Sequence, residues 1–238
     1  MKIASNIQDL SIVLAIRNYN PTLLTADFLI GTGVVPSNWE LARQPAVSPR
    51  ASQIAFTNGV QIEAQPGTVS FTEGLSNREN KDIQIPDLVR RYAASLPNFN
   101  YLGIGINPRF IITFEQEAAA ESFIQERILS PGSWQEFGTA PMQASVILAY
   151  SLKECQLRVN INSARLQISE GKAIPAILFT GNFAYQLSGE SSEEHQQTLN
   201  QIIDTWPEDL AIYRDLIDNR FLTGIKGDTV PLFPAPIL

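Results

Sequence analysis

The alternation of apolar and polar positions is clearest from Ile85 to Phe114, where a helix is followed by a strand. Pro86 suits the first turn of a helix, because the amide that proline lacks has no partner there. Tyr101–Asn107 then alternates Leu and Ile with glycine, which predicts a strand with one bulky and one nearly bare face. The alternation resumes after Pro108, which we interpret as an edge position or a break between two strands. The apolar stripe of the helix contains Ile85, Leu88, Val89, Tyr92 and Leu96.

Two apolar runs near the N-terminus predict a hairpin. Ile7 to Ile16 is nearly continuous and rich in β-branched residues, which is typical of a strand covered on both faces. Leu23 to Ile30 is predicted as a second strand that pairs with it in antiparallel fashion. A proline-rich loop follows from Val34 to Pro49, and Trp39 either pins this loop to the protein or serves as an interface anchor.

The next strands form a predicted meander whose register depends on the turn around Asn58-Gly59. A two-residue turn there would mix apolar and polar side chains on each face. A three-residue loop with its glycine in the left-handed conformation instead pairs Phe56 with Val60 and Ile54 with Ile62 on one face. We therefore expect the three-residue loop. The apolar face of this meander is the nearest surface for the helix after residue 85 to cover.

The second half of the chain predicts a helix, several strands and further helices. A capping-box pattern at Ser191–Glu194 and a proline at position 207 each indicate the start of a helical segment. The other predicted elements are a helix at Glu115–Leu129 and strands at Ala144–Leu152, Gln156–Asn162 and Ile174–Leu187.

Together these elements predict an α+β protein with two antiparallel sheets, each covered by helices. The order of elements also suggests two pseudo-symmetric halves in one compact unit. We expect an N-terminal half at residues 1–130, a C-terminal half at 131–227 and an extended, proline-rich tail at 228–238. This apolar tail either packs back on the protein or docks on a partner.

Composition narrows the classes of partner. Only 17% of the residues are charged, which is below the roughly 25% of typical domains and favours a subunit interface. The net charge of -7, with 17 Lys and Arg residues scattered singly, argues against nucleic acid. Cys155 is the single cysteine, and we find neither a secretory segment nor an apolar run long enough to cross a bilayer. We therefore expect a soluble cytoplasmic protein without a membrane span.

Few residues suggest chemistry. Gly103-Ile104-Gly105 lacks the third glycine of a dinucleotide-binding loop, and close packing of another segment explains these glycines better. His195 follows Glu194 on a helical turn, where the two side chains diverge, and Cys155 has no histidine near it in sequence. Acidic residues of the C-terminal helices are typical of solvated faces. We expect no catalytic residue, no metal and no cofactor, and we lean against an enzyme.

The leading functional expectation is a non-enzymatic protein-interaction or scaffold protein, with a homodimer as one form. The alternatives are a small-molecule-binding module that uses a cleft between the two halves and, third, a carboxylate-dependent hydrolase. The candidate interaction residues are Trp39, Gly103, Gly105, Trp134, Pro231, Phe233 and Pro234.

Overall fold

A computed structural model describes residues 7–75, 80–139, 142–169, 172–187, 189, 191–223 and 229–230. The strands are β1 Ile7–Ile16, β2 Ala46–Val47, β3 Ser52–Ala55, β4 Val60–Gln65, β5 Thr68–Gly74, β6 Tyr101–Phe114, β7 Ser145–Ser151, β8 Gln156–Ser169, β9 Lys172–Gln186 and β10 Thr229–Val230. The α-helices are α1 Ala26–Gly31, α2 Ile85–Ser95, α3 Glu117–Ser122, α4 Ser192–Asp204 and α5 Trp206–Leu216. Single π-helical turns extend α3 over Phe123–Ile128 and α5 over Ile217–Phe221.

The ten described strands belong to one antiparallel sheet. Its order is β2-β3-β4-β5-β1-β6-β9-β8-β7, and β10 pairs with the end of β6. The predicted α+β class with antiparallel pairing is confirmed. The separation into two sheets is not observed, because β6 is 14 residues long and hydrogen-bonds with β1 on one side and β9 on the other.

The interpretation of Pro108 as an edge position or a break between two strands is wrong. Pro108 lies inside β6, one continuous strand in the middle of the sheet. Pro108 is paired with Leu10 of β1, whereas the ladder to β9 skips residues 107 and 108. A proline has no amide hydrogen to donate, so it fits a strand where a ladder is locally interrupted.

The second predicted strand is wrong, because residues 21–31 form a 3-10 helix at Pro21–Leu23 followed by α1. The side chain of Asn20 accepts a hydrogen bond from the amide of Thr22, and the hydroxyl of Thr25 accepts one from the amide of Phe28. These local bonds satisfy amides at the start of each helix, which favours helix over strand for the apolar residues that follow.

The meander has the predicted register. The amide of Phe56 donates to the carbonyl of Val60 over 2.9 Å, Ile54 is paired with Ile62, and Gly59 has φ +88°. Helix α2 covers this apolar face, as expected from the sequence. The rings of Tyr92 and Phe71 meet edge to face, with centroids 5.3 Å apart.

The helix-covered face of the sheet packs into the core, and the opposite face carries smaller and more polar residues. The register places Ser11, Val13, Ser70, Thr72, Gly105, Asn107, Thr180 and Asn182 on this opposite face. On the helix side the fully buried residues include Leu10, Ile12, Leu14, Phe71, Tyr92, Phe110, Phe179, Phe183 and Tyr213.

Candidate interaction site

The side chain of Trp39 packs against the core of the protein. It is half-buried, and its ring meets that of Phe56 edge to face with centroids 5.1 Å apart. Next to it, Leu41 forms a bridge with Phe56 and the amide of Ala42 donates to the carbonyl of Ala55. These contacts support the interpretation that Trp39 pins its loop to the sheet edge. Its role as an interface anchor stays a prediction.

Gly103 and Gly105 lie in the middle of β6, where their bare face is closely approached by the same chain. A Cβ at residue 103 would lie 2.7 Å from the main-chain oxygen of Tyr185 in β9. A Cβ at residue 105 would lie 3.1 Å from Nδ2 of Asn182, a side-chain atom of the same strand. We expected another segment to pack closely against these glycines, and the neighbouring strand β9 does so. A role of the two glycines in binding another molecule stays a prediction.

Trp134 lies in a short 3-10 helix at Ser133–Glu136, which precedes β7. Its side chain is 51% exposed, and Phe137, three residues later, is 90% exposed. In a 3-10 turn, residues at a spacing of three lie on the same side. Phe137 was not predicted from the sequence, although its spacing from Trp134 was the available signal. The short segment thus presents two exposed aromatic side chains, and aromatic residues are enriched among those that contribute most to binding in protein interfaces.

Gln125 hydrogen-bonds both to the segment that carries Trp134 and Phe137 and to the residues just before β7. The side-chain amide of Gln135 donates to the main-chain oxygen of Gln125 over 2.9 Å. The side-chain amide of Gln125 donates to the main-chain oxygen of Met142 over 2.7 Å, three residues before β7 begins. Gln125 thus fixes the position of the aromatic segment relative to the approach to β7.

Strand β7 is an edge strand of the sheet, and no strand in the described part of the chain pairs with its outer side. Its sequence, Ser-Val-Ile-Leu-Ala-Tyr-Ser, contains no charge and no proline. Ile147 is 65% exposed. Sheet edges are usually protected from other strands by charges, prolines or short length, so β7 is unusually open to pairing.

The hydrogen-bond pattern identifies which backbone groups of β7 face outward. The amide of Leu152 donates to the carbonyl of Cys155 over 2.9 Å, which closes the turn between β7 and β8. Hydrogen-bonded and non-hydrogen-bonded residues alternate in an antiparallel pair, so Tyr150, Leu148 and Val146 bond to β8. The amides and carbonyls of the alternate residues point away from the sheet, and these are Ser145, Ile147, Ala149 and Ser151.

A shallow cleft of about 360 Å³ runs beside β7 on the helix-covered side. Five of its seven lining residues are apolar, and the other two are arginines. The guanidinium group of Arg127 donates to the main-chain oxygen of Thr223 over 2.6 Å, and Nε of Arg220 lies 3.7 Å from a carboxylate oxygen of Asp215. The lining residues are Arg127, Ile128, Leu129, Val146, Leu148, Arg220 and Phe221.

A buried carboxyl group lies elsewhere, where α5 begins. Asp209 is only 3% exposed, and both of its carboxylate oxygens accept hydrogen bonds from the hydroxyl of Tyr185, over 2.9 and 3.1 Å. Burial raises the pKa of Asp209 to about 6, against the lowering effect of hydrogen bonds from Tyr185 and Thr205. Burial likewise raises the pKa of Cys155, which disfavours a reactive thiolate.

Asp204 and His195, which were also considered from the sequence, have partners within the protein. Asp204 pairs with Arg90 over 2.5 Å. Nε2 of His195 lies 3.0 Å from the main-chain oxygen of Gly189. Among the described residues, three or more His, Cys, Asp or Glu side chains do not converge in a group that could hold a metal ion.

Part of the predicted tail joins the sheet, since Thr229 pairs with Phe114 and Val230 with Thr113. The candidates Pro231, Phe233 and Pro234 lie outside the described residues. Within the described residues, every helix is too short or too polar to span a membrane. Neither a scan of protein-family models nor a search of curated proteins finds a match to this sequence.

Proposed function

We propose that this protein is a protein-interaction or scaffold protein whose binding surface lies on the β7 side of the sheet. The observation that carries the proposal is the combination of exposed aromatic residues and an open strand edge. Trp134 and Phe137 are exposed on the segment leading to β7, and Ile147 is exposed on β7 itself. Burying such residues supplies most of the energy in many protein interfaces, and an open edge adds main-chain hydrogen bonds.

The experiment is affinity capture with the purified protein as bait in an extract of the source cells. The test variant combines Trp134→Ser with Phe137→Ser. Ile212→Ser is the matched control, because Ile212 is also an exposed apolar residue but lies on α5. Wild type and the control should retain the same specific proteins, and the double variant should lose them.

Retention of the same proteins by the double variant would contradict the proposal. Because both replaced side chains are exposed, we expect all three proteins to have the same far-ultraviolet circular dichroism and melting temperature. This comparison separates lost binding from lost folding.

The second candidate is small-molecule binding, and the specific observation in its favour is the cleft beside β7. Its apolar walls and the two guanidinium groups of Arg127 and Arg220 suit an apolar carboxylate. Thermal-shift measurements with decanoate, and with decanol as the uncharged control, test this candidate. A shift with decanoate that is absent in the variant Arg127→Gln/Arg220→Gln would support it, and equal shifts with both compounds would contradict it.

We also propose that the chain consists of two pseudo-symmetric halves that meet at the β1–β6 pair. In support, β1 is followed by a helix and the meander β2–β5, and β6 is followed by a helix and the meander β7–β9. The last strand of each meander, β5 or β9, pairs with β1 or β6, respectively. A helix follows in both cases, α2 after β5 and α4 after β9. On this proposal the boundary lies between α2 and β6, earlier than residue 130. Superposing the two sets of elements tests it, and helices on opposite sides of the strands would contradict it.

A further inference from the structure

We infer that the occupant of the β7 edge is β7 of a second copy of this chain, in one antiparallel register centred on Leu148. This inference rests on the proposed function, since it names the partner of the proposed binding surface. The two edges of the sheet differ in a way that selects β7. At the other edge, β2 has only two residues, with Pro45 before it and Pro49 close after it. Proline and short length protect that edge from further pairing.

The backbone of β7 fits a symmetric pair centred on Leu148. About a two-fold axis at this residue, Leu148 faces Leu148 of the second copy as a non-hydrogen-bonded pair. Ile147 and Ala149 of the two copies then exchange amide-to-carbonyl hydrogen bonds, and so do Ser145 and Ser151. These four residues are the ones whose backbone groups point away from β8. A two-fold axis midway between two residues would bring inward-pointing groups to the hydrogen-bonded positions, so the axis must pass through a residue. Among such registers, the one centred on Leu148 pairs all seven residues of β7, Ser145–Ser151.

The side chains fit the same register. On the helix-covered face, Val146 lies opposite Tyr150 of the second copy, so this tyrosine stands beside the apolar cleft that Val146 and Leu148 line. On the other face, the exposed side chain of Ile147 lies opposite Ala149, and each partner covers apolar surface that the isolated chain leaves in water.

Charge does not oppose this pairing within the strand. The residues from Ser145 to Ser151 are all uncharged, so the symmetric pair places no like charges opposite one another. The nearest charges along the chain, Lys153 and Glu154, lie in the turn beyond the strand and pair with each other at 3.6 Å. Strands that cannot repel an identical strand are the ones that self-associate at sheet edges.

Sedimentation equilibrium across a wide concentration range tests the self-association. We expect wild type to approach twice the 26.3 kDa of one chain and Ala149→Pro to remain at the mass of one chain. The proline removes an amide that points outward, so the β7–β8 ladder and the melting temperature should be retained. Ile147→Lys should weaken the dimer through charge at the edge, while Ile212→Lys on α5 should not.

Disulfide formation tests the register. In a Cys155→Ser background, Leu148→Cys should form a disulfide-linked dimer on mild oxidation, because non-hydrogen-bonded partners have Cα atoms about 4.5 Å apart, within disulfide range. Val146→Cys should not, because the two copies of residue 146 are displaced by roughly 13 Å along the strands.

Equal cross-linking by Val146→Cys and Leu148→Cys would overturn the register. A wild-type protein at the mass of one chain at every concentration, or an Ala149→Pro variant that still dimerises, would overturn the pairing. If Ala149→Pro does not fold, a dimer that Ile147→Lys leaves unaffected would overturn the pairing in its place. A monomeric wild type that still captures proteins through Trp134 and Phe137 would overturn the self-pairing and leave the proposed function standing.

Discussion

The ring of Tyr213 packs directly on the backbone of Gly181, so a Cβ at residue 181 would lie 2.7 Å from Cε2 of the tyrosine. The same Cβ would lie 3.1 Å from Cγ of Pro108. Gly181 is therefore a position in β9 where α5 closely approaches the sheet. A glycine inside a strand is explained here by the ring that occupies the space of its missing side chain.

We predict that Gly181→Ala destabilises the protein by about 1–3 kcal/mol, because both neighbours are buried rings that have little room to move. Gly74→Ala is the control within another strand, since no atom outside the neighbouring residues lies within 4 Å of its Cβ position. Urea denaturation of both variants measures the difference. Equal stabilities of the two variants would show that the ring of Tyr213 is free to shift.

A second prediction concerns Glu73, which lies near the end of β5 and caps helix α2. Its buried carboxylate accepts hydrogen bonds from the amides of Gln84 and Ile85, over 2.7 and 3.1 Å. Glu73→Ala should lower the free energy of unfolding by about 2 kcal/mol, because two amides at the helix start lose a charged acceptor. Asp87→Ala, in the exposed first turn of the same helix, should cost well under about 1 kcal/mol.

Chemical denaturation of the two variants checks this prediction. Glu73→Gln should recover part of the loss, because its neutral side-chain carbonyl can still accept hydrogen bonds from these amides, although without the charge of the carboxylate. A Glu73→Ala variant as stable as Asp87→Ala would show that these amides are not stabilised by the carboxylate.

The sequence predicted those parts of the fold that depend on residues close together in the chain, such as the turn of the meander. The pairing of Phe56 with Val60 followed from the left-handed glycine of the turn and the period of two along the strands. Helix α1 was missed because its apolar residues also suit a strand. The decisive signal was the hydroxyl of Thr25, whose hydrogen bond to the amide of Phe28 starts the helix.

The remaining errors concern contacts between residues far apart in sequence. Whether a strand continues through Pro108 depends on where the neighbouring ladders skip a bond, and the proline itself does not encode that. The bond between Tyr185 and Asp209 joins β9 to α5 and has no spacing signature. The exposure of Phe137 likewise depends on how its segment is attached through Gln125. These features require the assembled fold.

A third prediction compares the two glycines of β6. Gly103→Ala should be clearly destabilising, because its Cβ would lie 2.7 Å from a main-chain oxygen of Tyr185 that the sheet holds in place. Gly105→Ala should cost less, because its nearest neighbour is the end of the Asn182 side chain at 3.1 Å. Thermal melting of the two variants ranks them, and the reverse order would show that β9 yields more easily than the asparagine.

The last prediction is a pH dependence that originates at Asp209. Burial holds the pKa of this carboxyl at about 6 in the folded protein, above its ordinary value of 3.8. Between these two values the folded state binds more protons than the unfolded state, so raising the pH lowers the free energy of unfolding. The stabilising proton is fully present below about pH 4 and is lost as the pH passes through about 6.

Asp209→Asn should remove this dependence while keeping an acceptor for the hydroxyl of Tyr185. Between pH 4.5 and 7.5, wild type should therefore lose about 2 kcal/mol more of its free energy of unfolding than the variant does. Urea denaturation at the two pH values measures this difference, and Asp27→Asn, at an exposed position in α1, should behave like wild type. Parallel stability curves for wild type and Asp209→Asn would mean that the carboxyl of Asp209 titrates alike in the folded and unfolded states. In that case its burial beside Tyr185 would carry no penalty for the charged form.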